Sequence, residues 1–255
     1  MTNNRWTNDP ILKPLIAAVT ADPEVEGVIL SGSRGAGADD PESDYDLEWV
    51  LTDAAYDRRA AHGEQMHLSQ DPDQPHLDIS YTCLRKLAQI AAEASWPLPG
   101  YTTARILYDR TGAVTMACKA MVTMPEERAR ADVLGCFDAY INAFYRSLKA
   151  WRRGNQLGGR LQAAASAMHL VSLLFALERR WPPYHDRLVG QLGTLASQGW
   201  PPGYLHDALL RLVQTGDPRF QQELEAKVEM LLRARGFEVN LWEGEIERVK
   251  AFHFD

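Results

Sequence analysis

The stretch VILSGSRGAGADDPESDYDLEWVLTD, Val28 to Asp53, decides the fold. An apolar run ends at Gly32-Ser33, a loop rich in Gly and acidic residues follows, and a second apolar run begins with two aspartates one residue apart. In DYDLEWVLT, Tyr45, Leu47, Trp49 and Leu51 alternate with Asp44, Asp46, Glu48 and Val50, the period of a strand with one buried face. Asp44 and Asp46 then project to the same side, roughly 6.5 to 7 Å apart along the strand. Like charges this close call for a partner.

Upstream, Asp9-Pro10 reads as an N-cap and first helical position, opening a helix through Leu15 to Val19, and VEGVILSG reads as a strand. Downstream, a polar and partly helical stretch over Asp57 to Gln74 leads to PHLDISYT. Here Leu77, Ile79 and Tyr81 lie opposite His76, Asp78 and Ser80. Thr82 is expected to cap a helix to about Glu93, and ARILYD reads as a closing strand whose Asp109 begins the turn DRTG. From Thr123 the period becomes helical. A capping box, Thr123 with Glu126, precedes a helix that buries Val133, Phe137, Ile141, Phe144, Leu148 and Trp151 before Gly154. The next helix is expected to bury Leu161, Ala165, Met168, Val171, Leu174 and Phe175 and to end before Pro182-Pro183. Shorter helices follow over about Leu188 to Ala196, Leu205 to Val213, and from Asp217-Pro218 to Gly236. Two domains are expected, 1–115 and 120–255.

With 255 residues, 45% hydrophobic and 24% charged, the chain has ordinary globular composition. A net charge of −7 argues against a nucleic-acid footprint, whose affinity comes from clustered Lys and Arg, and suits a cationic small substrate. Three scattered cysteines, Cys83, Cys118 and Cys136, show no zinc spacing and fit a reducing cytoplasm. The N-terminus MTNNRWTNDP lacks a signal-peptide core, and no run approaches the roughly 18 apolar residues of a membrane span. A cytoplasmic protein with no membrane partner is expected.

The glycines of the opening stretch, Gly32, Gly35 and Gly37, form G-x-x-G-x-G, which fits neither the P-loop nor the Rossmann fingerprint. A structural Gly-rich turn would explain the glycines but not the carboxylates. Asp44 and Asp46, joined by Asp78 from a later strand, would repel one another on one sheet face unless a multivalent cation lay between them. Oxygen ligands of this kind suit Mg²⁺, and two such ions can assist an in-line phosphoryl transfer by activating the attacking hydroxyl and stabilising the leaving group. Gly32 and Ser33 would offer backbone N–H groups and a hydroxyl to the phosphates.

Gly-Ser at a strand end, then DYDLEWV, then a lone acid in HLDIS: in that order these elements resemble the nucleotidyltransferase superfamily typified by DNA polymerase beta, over residues 10–112. Within it, the size and the helical second half resemble the small aminoglycoside and lincosamide nucleotidyltransferases. The resemblance implies an α+β fold, a mixed sheet with flanking helices followed by an all-α helical bundle that binds substrate. It implies Mg²⁺, two ions, held by Asp44, Asp46 and Asp78; in the family the third acid completes a metal site or helps deprotonate the acceptor. It assigns Gly32 and Ser33 to the phosphates of a nucleoside triphosphate donor, ATP in the first place.

Arg34 could touch the triphosphate or be an exposed loop residue, and Glu48 could contact a cationic acceptor or form a buried pair. Related enzymes use a helical-domain Lys for the triphosphate, which points to Lys149 in FYRSLKAWRRGN, assisted by Arg160; a solvated basic helix end is the alternative. Tyr184 or His185 could line an acceptor pocket, whereas His169 reads as an ordinary helix histidine. Lys149 and Tyr184 fall near opposite ends of a helical hairpin roughly 30 Å long. The activity implied is transfer of AMP to a hydroxyl of a small molecule, with antibiotic modification as the best-known role. Nucleotidylation of a protein or tRNA end, oligonucleotide synthesis and non-catalytic nucleotide binding are the alternatives.

Overall fold

The computed structural model describes residues 5–64, 66–69, 76–94, 97–195, 199–239 and 244–254. The chain divides into two compact units, Met1–Thr123 and Met124–Asp255. The fold is α+β: a mixed sheet with helices, then helices alone.

In the first unit the elements run α1 (Leu12–Ala21), β1 (Val25–Leu30), α2 (Gly32–Ala36), β2 (Tyr45–Leu51), α3 (Asp53–Ala61), β3 (Met66–Ser69), β4 (Leu77–Cys83), α4 (Leu84–Glu93), α5 (Leu98–Tyr101), β5 (Arg105–Asp109) and α6 (Ala113–Val122). Asp9 Oδ1 accepts the N–H groups of Ile11 and Leu12 ahead of α1, but the helix begins at Leu12 with Ile11 at its N-cap, two residues later than Asp9-Pro10 suggested. The sheet order is β3-β4-β2-β1-β5. Only β2 and β4 pair in parallel, and the other neighbours are antiparallel. On one face Tyr45, Leu47 and Leu51 of β2 join Ile79 of β4 and Val28 and Leu30 of β1 in a core covered by Leu12 and Val19 of α1. Full burial of such side chains contributes roughly 1.5–3 kcal/mol each, which fixes the register of β2. A one-residue slip would turn the aspartates into this core.

Two local expectations are corrected. Residues 32–36, read as a loop, form the short helix α2, which starts in the left-handed region at Gly32 (φ 63°) and ends at Gly37 (φ 72°). Thr82 does not cap α4: β4 continues through Cys83, and Thr82 is buried opposite Val50. The polar stretch after Asp57 holds the end of α3 and the edge strand β3; residues 70–74 lie outside the described residues. Asp109 is a turn residue as expected, accepting N–H groups from Gly112 (2.8 Å) and Thr115 (2.7 Å).

The second unit begins with the hairpin of α7 (Glu126–Arg152) and α8 (Gln156–Leu177), turned at Gly154 (φ 73°). It continues through α9 (Leu188–Leu192), α10 (Tyr204–Gln214), α11 (Pro218–Ala234) and α12 (Glu245–Lys250). α9 ends at Leu192, short of the expected Ala196, which itself lies outside the described residues. Phe137, Ile141, Phe144 and Leu148 of α7 pack with Leu170 and Leu174 of α8, Leu212 of α10, and Leu224 and Val228 of α11. The capping box does not form: α7 starts one residue after its N-cap Pro125, so Thr123 lies outside the helix. The expected stripe of α8 holds at Val171, Leu174 and Phe175, which are buried, but is displaced in the first half, where Leu161 and Met168 are exposed while Ala163, Ala167 and Leu170 are buried. Small residues let α7 and α8 approach closely; a Cβ on Gly159 would lie 2.5 Å from Trp151 Nε1. By length and mean hydropathy (1.3) α8 is long and apolar enough to cross a membrane, yet half of that window is buried inside the protein.

Candidate active site

The parallel pairing of β2 with β4 sets Asp46 directly opposite Asp78. Asp44 lies two residues before Asp46, at the mouth of the strand, and one carboxylate oxygen from each of the three lies within 4.8 Å of the others. Ligands opposite one another on Mg²⁺ are about 4.2 Å apart, twice the usual Mg–O distance, so this spacing suits one hard cation with little closure. All three residues are half-buried, which leaves water access for the rest of a coordination shell.

Gly32 is pressed against this cluster. A Cβ there would lie 1.7 Å from Asp46 Oδ2, and φ is in the left-handed region. A side chain at position 32 would therefore occupy the place of a carboxylate oxygen. Ser31 fastens the same corner, its N–H donating to the Asp46 carbonyl at 2.9 Å. Ser33 follows in the first turn of α2, half-buried.

Arg34 is turned toward the chain. Its Nε donates to the carbonyls of Ser43 and Asp44 (both 3.0 Å), and Nη2 donates to Ser43 (2.6 Å). The guanidinium stacks 4.0 Å over the Tyr45 ring and stands 3.7 Å from Asp39. Only 11% of the side chain is exposed. Tyr45 Oη donates in turn to Asp9 Oδ2 at 2.9 Å. Arg34 thus ties α2 to the residues that present Asp44, which the sequence did not reveal because its partners are main-chain carbonyls.

Glu48, one alternation beyond Asp46, accepts a 2.6 Å hydrogen bond from Tyr101 Oη. Burial pushes its carboxyl up to about 6, against the lowering effect of that bond. Nearby Cys118 is pushed up to about 12, chiefly by burial and further by the charges of Glu48 and Asp109. His76 Nδ1 stands 3.2 Å from Asp78 Oδ1. His76 shares the facing alternation of Asp78, a signal available in the sequence.

Within the second unit, Lys149 donates to Tyr145 Oη (2.9 Å), which donates to Glu245 Oε2 (2.8 Å). Lys149, Arg146, Arg153 and Gln162 line a cavity of about 450 Å³ beside the hairpin turn. Arg160 is exposed on the first turns of α8. Tyr184 is half-buried beyond the other end of α8, its hydroxyl pushed up by burial. The start of α7 and the end of α8 are joined by the Met124 N–H donating to the Arg179 carbonyl (2.8 Å), so Lys149 and Tyr184 belong to opposite ends of the hairpin.

Sheet and carboxylates define a class: an α+β protein whose sheet carries three convergent acids beside a glycine that keeps their space open. Residues 97–187 match the model of a family described as a domain of unknown function, DUF4037. Among solved structures, the chain is similar to a nucleotidyltransferase-like protein from Exiguobacterium sibiricum 255-15, at 14% identity and TM-score 0.49, covering 88% of this chain and 73% of that one. It is also similar to an aminoglycoside 6-adenyltransferase from Bacillus subtilis, at 10% identity and TM-score 0.35, covering 92% of each chain. No curated protein matches.

Proposed function

We propose that the protein is a nucleotidyltransferase that moves a nucleoside monophosphate, AMP from ATP in the first place, onto a hydroxyl of a small cytoplasmic molecule. The convergence of Asp44, Asp46 and Asp78 within 4.8 Å, with Gly32 holding their space open, carries this reading. Asp44, Asp46 and Asp78 would hold Mg²⁺, which when bound supplies positive charge against the triphosphate and its departing pyrophosphate. Gly32 and Ser33 bind phosphate oxygens, and Arg34 keeps Asp44 in place through its carbonyl. Asp78 takes the proton of the acceptor hydroxyl as that oxygen bonds to the α-phosphorus and pyrophosphate leaves. His76, 3.2 Å from Asp78, is placed to steady that carboxylate.

Glu48 extends the acidic face and, with the net charge of −7, favours a cationic acceptor such as an aminoglycoside-like or lincosamide-like compound. In the second unit we assign Lys149 and Arg160 to nucleotide phosphates and Tyr184 to the acceptor, following the sequence resemblance. The test is a pyrophosphate-release screen of each nucleoside triphosphate with Mg²⁺ against a panel of hydroxylated amines and lincosamides. Release that needs both Mg²⁺ and an acceptor is expected. Tight nucleotide binding without turnover across the whole panel would refute the enzymatic reading.

A further inference from the structure

At the open end of the α7/α8 hairpin, away from Lys149, three arginines from three elements line one cavity. Arg130 comes from the second turn of α7, Arg179 from just past α8, and Arg235 from the end of α11. With Val133, Ala176 and Phe237 they line a cavity of about 210 Å³. Val133 and Ala176 are buried parts of the second unit's core, so that part of the lining is fixed.

Arg130 and Arg179 are held in place before any ligand arrives. The Arg130 guanidinium lies 5.0 Å over the Phe237 ring. Arg179 adopts a left-handed backbone (φ 56°), which disfavours a residue with a side chain. It is clamped there by the Met124 N–H donating to its carbonyl (2.8 Å) and by its own Nε donating to the Met124 carbonyl (3.1 Å). Glu126, also in this lining, stands 3.9 Å from Arg179 Nη1 and is 85% exposed, so one solvated carboxylate stands against the Arg130 and Arg179 guanidinium groups in a chain of net charge −7. Guanidinium groups of fixed orientation match the oxygens of a carboxylate or phosphate. A cavity of about 150 Å³ suffices to hold benzene, so this one has room for a small ring and an anionic group.

We propose that this pocket binds a small anion, a carboxylate or phosphate ester carried on an apolar body about the size of a phenyl ring. The site lies wholly within the second unit and does not depend on nucleotidyl transfer. Isothermal titration of the full chain with phenyl phosphate and with benzoate separates the two sources of anion, and benzyl alcohol serves as the neutral control. Saturable one-to-one binding of at least one anion is expected, with no binding of benzyl alcohol. Arg130→Gln and Arg235→Gln should each weaken it about tenfold, the effect of losing one charge-assisted hydrogen bond. Lys149→Ala should leave it unchanged, separating this pocket from the cavity at the hairpin turn. Thermal melts confirm that each variant is folded, and Arg130→Lys, which keeps the charge, should retain part of the affinity. No saturable binding of either anion, equal binding of benzyl alcohol, or full affinity in both Gln variants would overturn the proposal.

Discussion

Gly32→Ala places a methyl group where the structure has none to spare. The new Cβ would stand 1.7 Å from Asp46 Oδ2 and 2.7 Å from Asp46 Cγ, whereas real contacts do not fall below 3.0 Å. The carboxylate must therefore retreat by about 1.3 Å (3.0 − 1.7), and a displacement near 1 Å at a reacting centre costs about a hundredfold in rate. The left-handed backbone adds a penalty of about 1–2 kcal/mol for any residue with a Cβ. Gly37→Ala separates the two effects: φ there is 72°, but the nearest atom to the added Cβ is Arg105 Nη2 at 3.7 Å. Both variants should lose stability in urea melts, while only Gly32→Ala should lose about two orders of magnitude in the initial rate of pyrophosphate release. A Gly32→Ala enzyme within a few-fold of the wild-type rate would refute the role given to Gly32.

Arg34→Gln should lower the rate and weaken divalent-cation binding by about tenfold or more, with the KM for ATP little changed, because Arg34 holds the Ser43 and Asp44 carbonyls. A raised KM with unaltered cation dependence would make it a triphosphate contact instead. Glu48 rises from 4.5 to about 6 on folding, so the folded chain binds this proton more tightly than the unfolded one. Its ionisation therefore removes stability as pH climbs from about 4.5 through 6, by about 2 kcal/mol at most. Glu48→Gln should be the more stable protein at pH 8 in metal-free urea melts, with the difference shrinking toward pH 4; a pH-independent difference would contradict this. Asp217→Ala removes an N-cap whose Oδ1 accepts the Arg219 and Phe220 N–H groups at 3.0 and 3.2 Å, and should cost about 1 kcal/mol in the same assay.

The acidic triad was legible because two strands with clear period-two alternation each place a carboxylate on the face away from the core. Parallel register then sets Asp46 opposite Asp78. The partners of those residues were not legible. Tyr101 meets Glu48 across 53 positions of chain, and Arg34 meets main-chain oxygens that leave no side-chain pattern. The edge strand β3 is four residues long and offers too short a period to detect. On α8, hydropathy favoured Leu161 and Met168 as buried, but close approach to α7 selects the small residues Ala163 and Ala167 and leaves the larger ones outside. In the second unit the helices were readable from their period of three and four. Their pockets were not, since Lys149 and Arg130 differ from other surface cations only by what folds beside them.

The proposed activity requires Asp44, Asp46 and Asp78 to act as one cation site. Electron paramagnetic resonance of Mn²⁺ titrated with the protein and a non-hydrolysable ATP analogue, compared with the analogue alone, measures this without knowledge of the acceptor. Saturable protein-dependent binding is expected, lost or weakened at least tenfold in Asp44→Asn and Asp46→Asn and reduced in Asp78→Asn. Mn²⁺ binding unchanged in all three variants would contradict it.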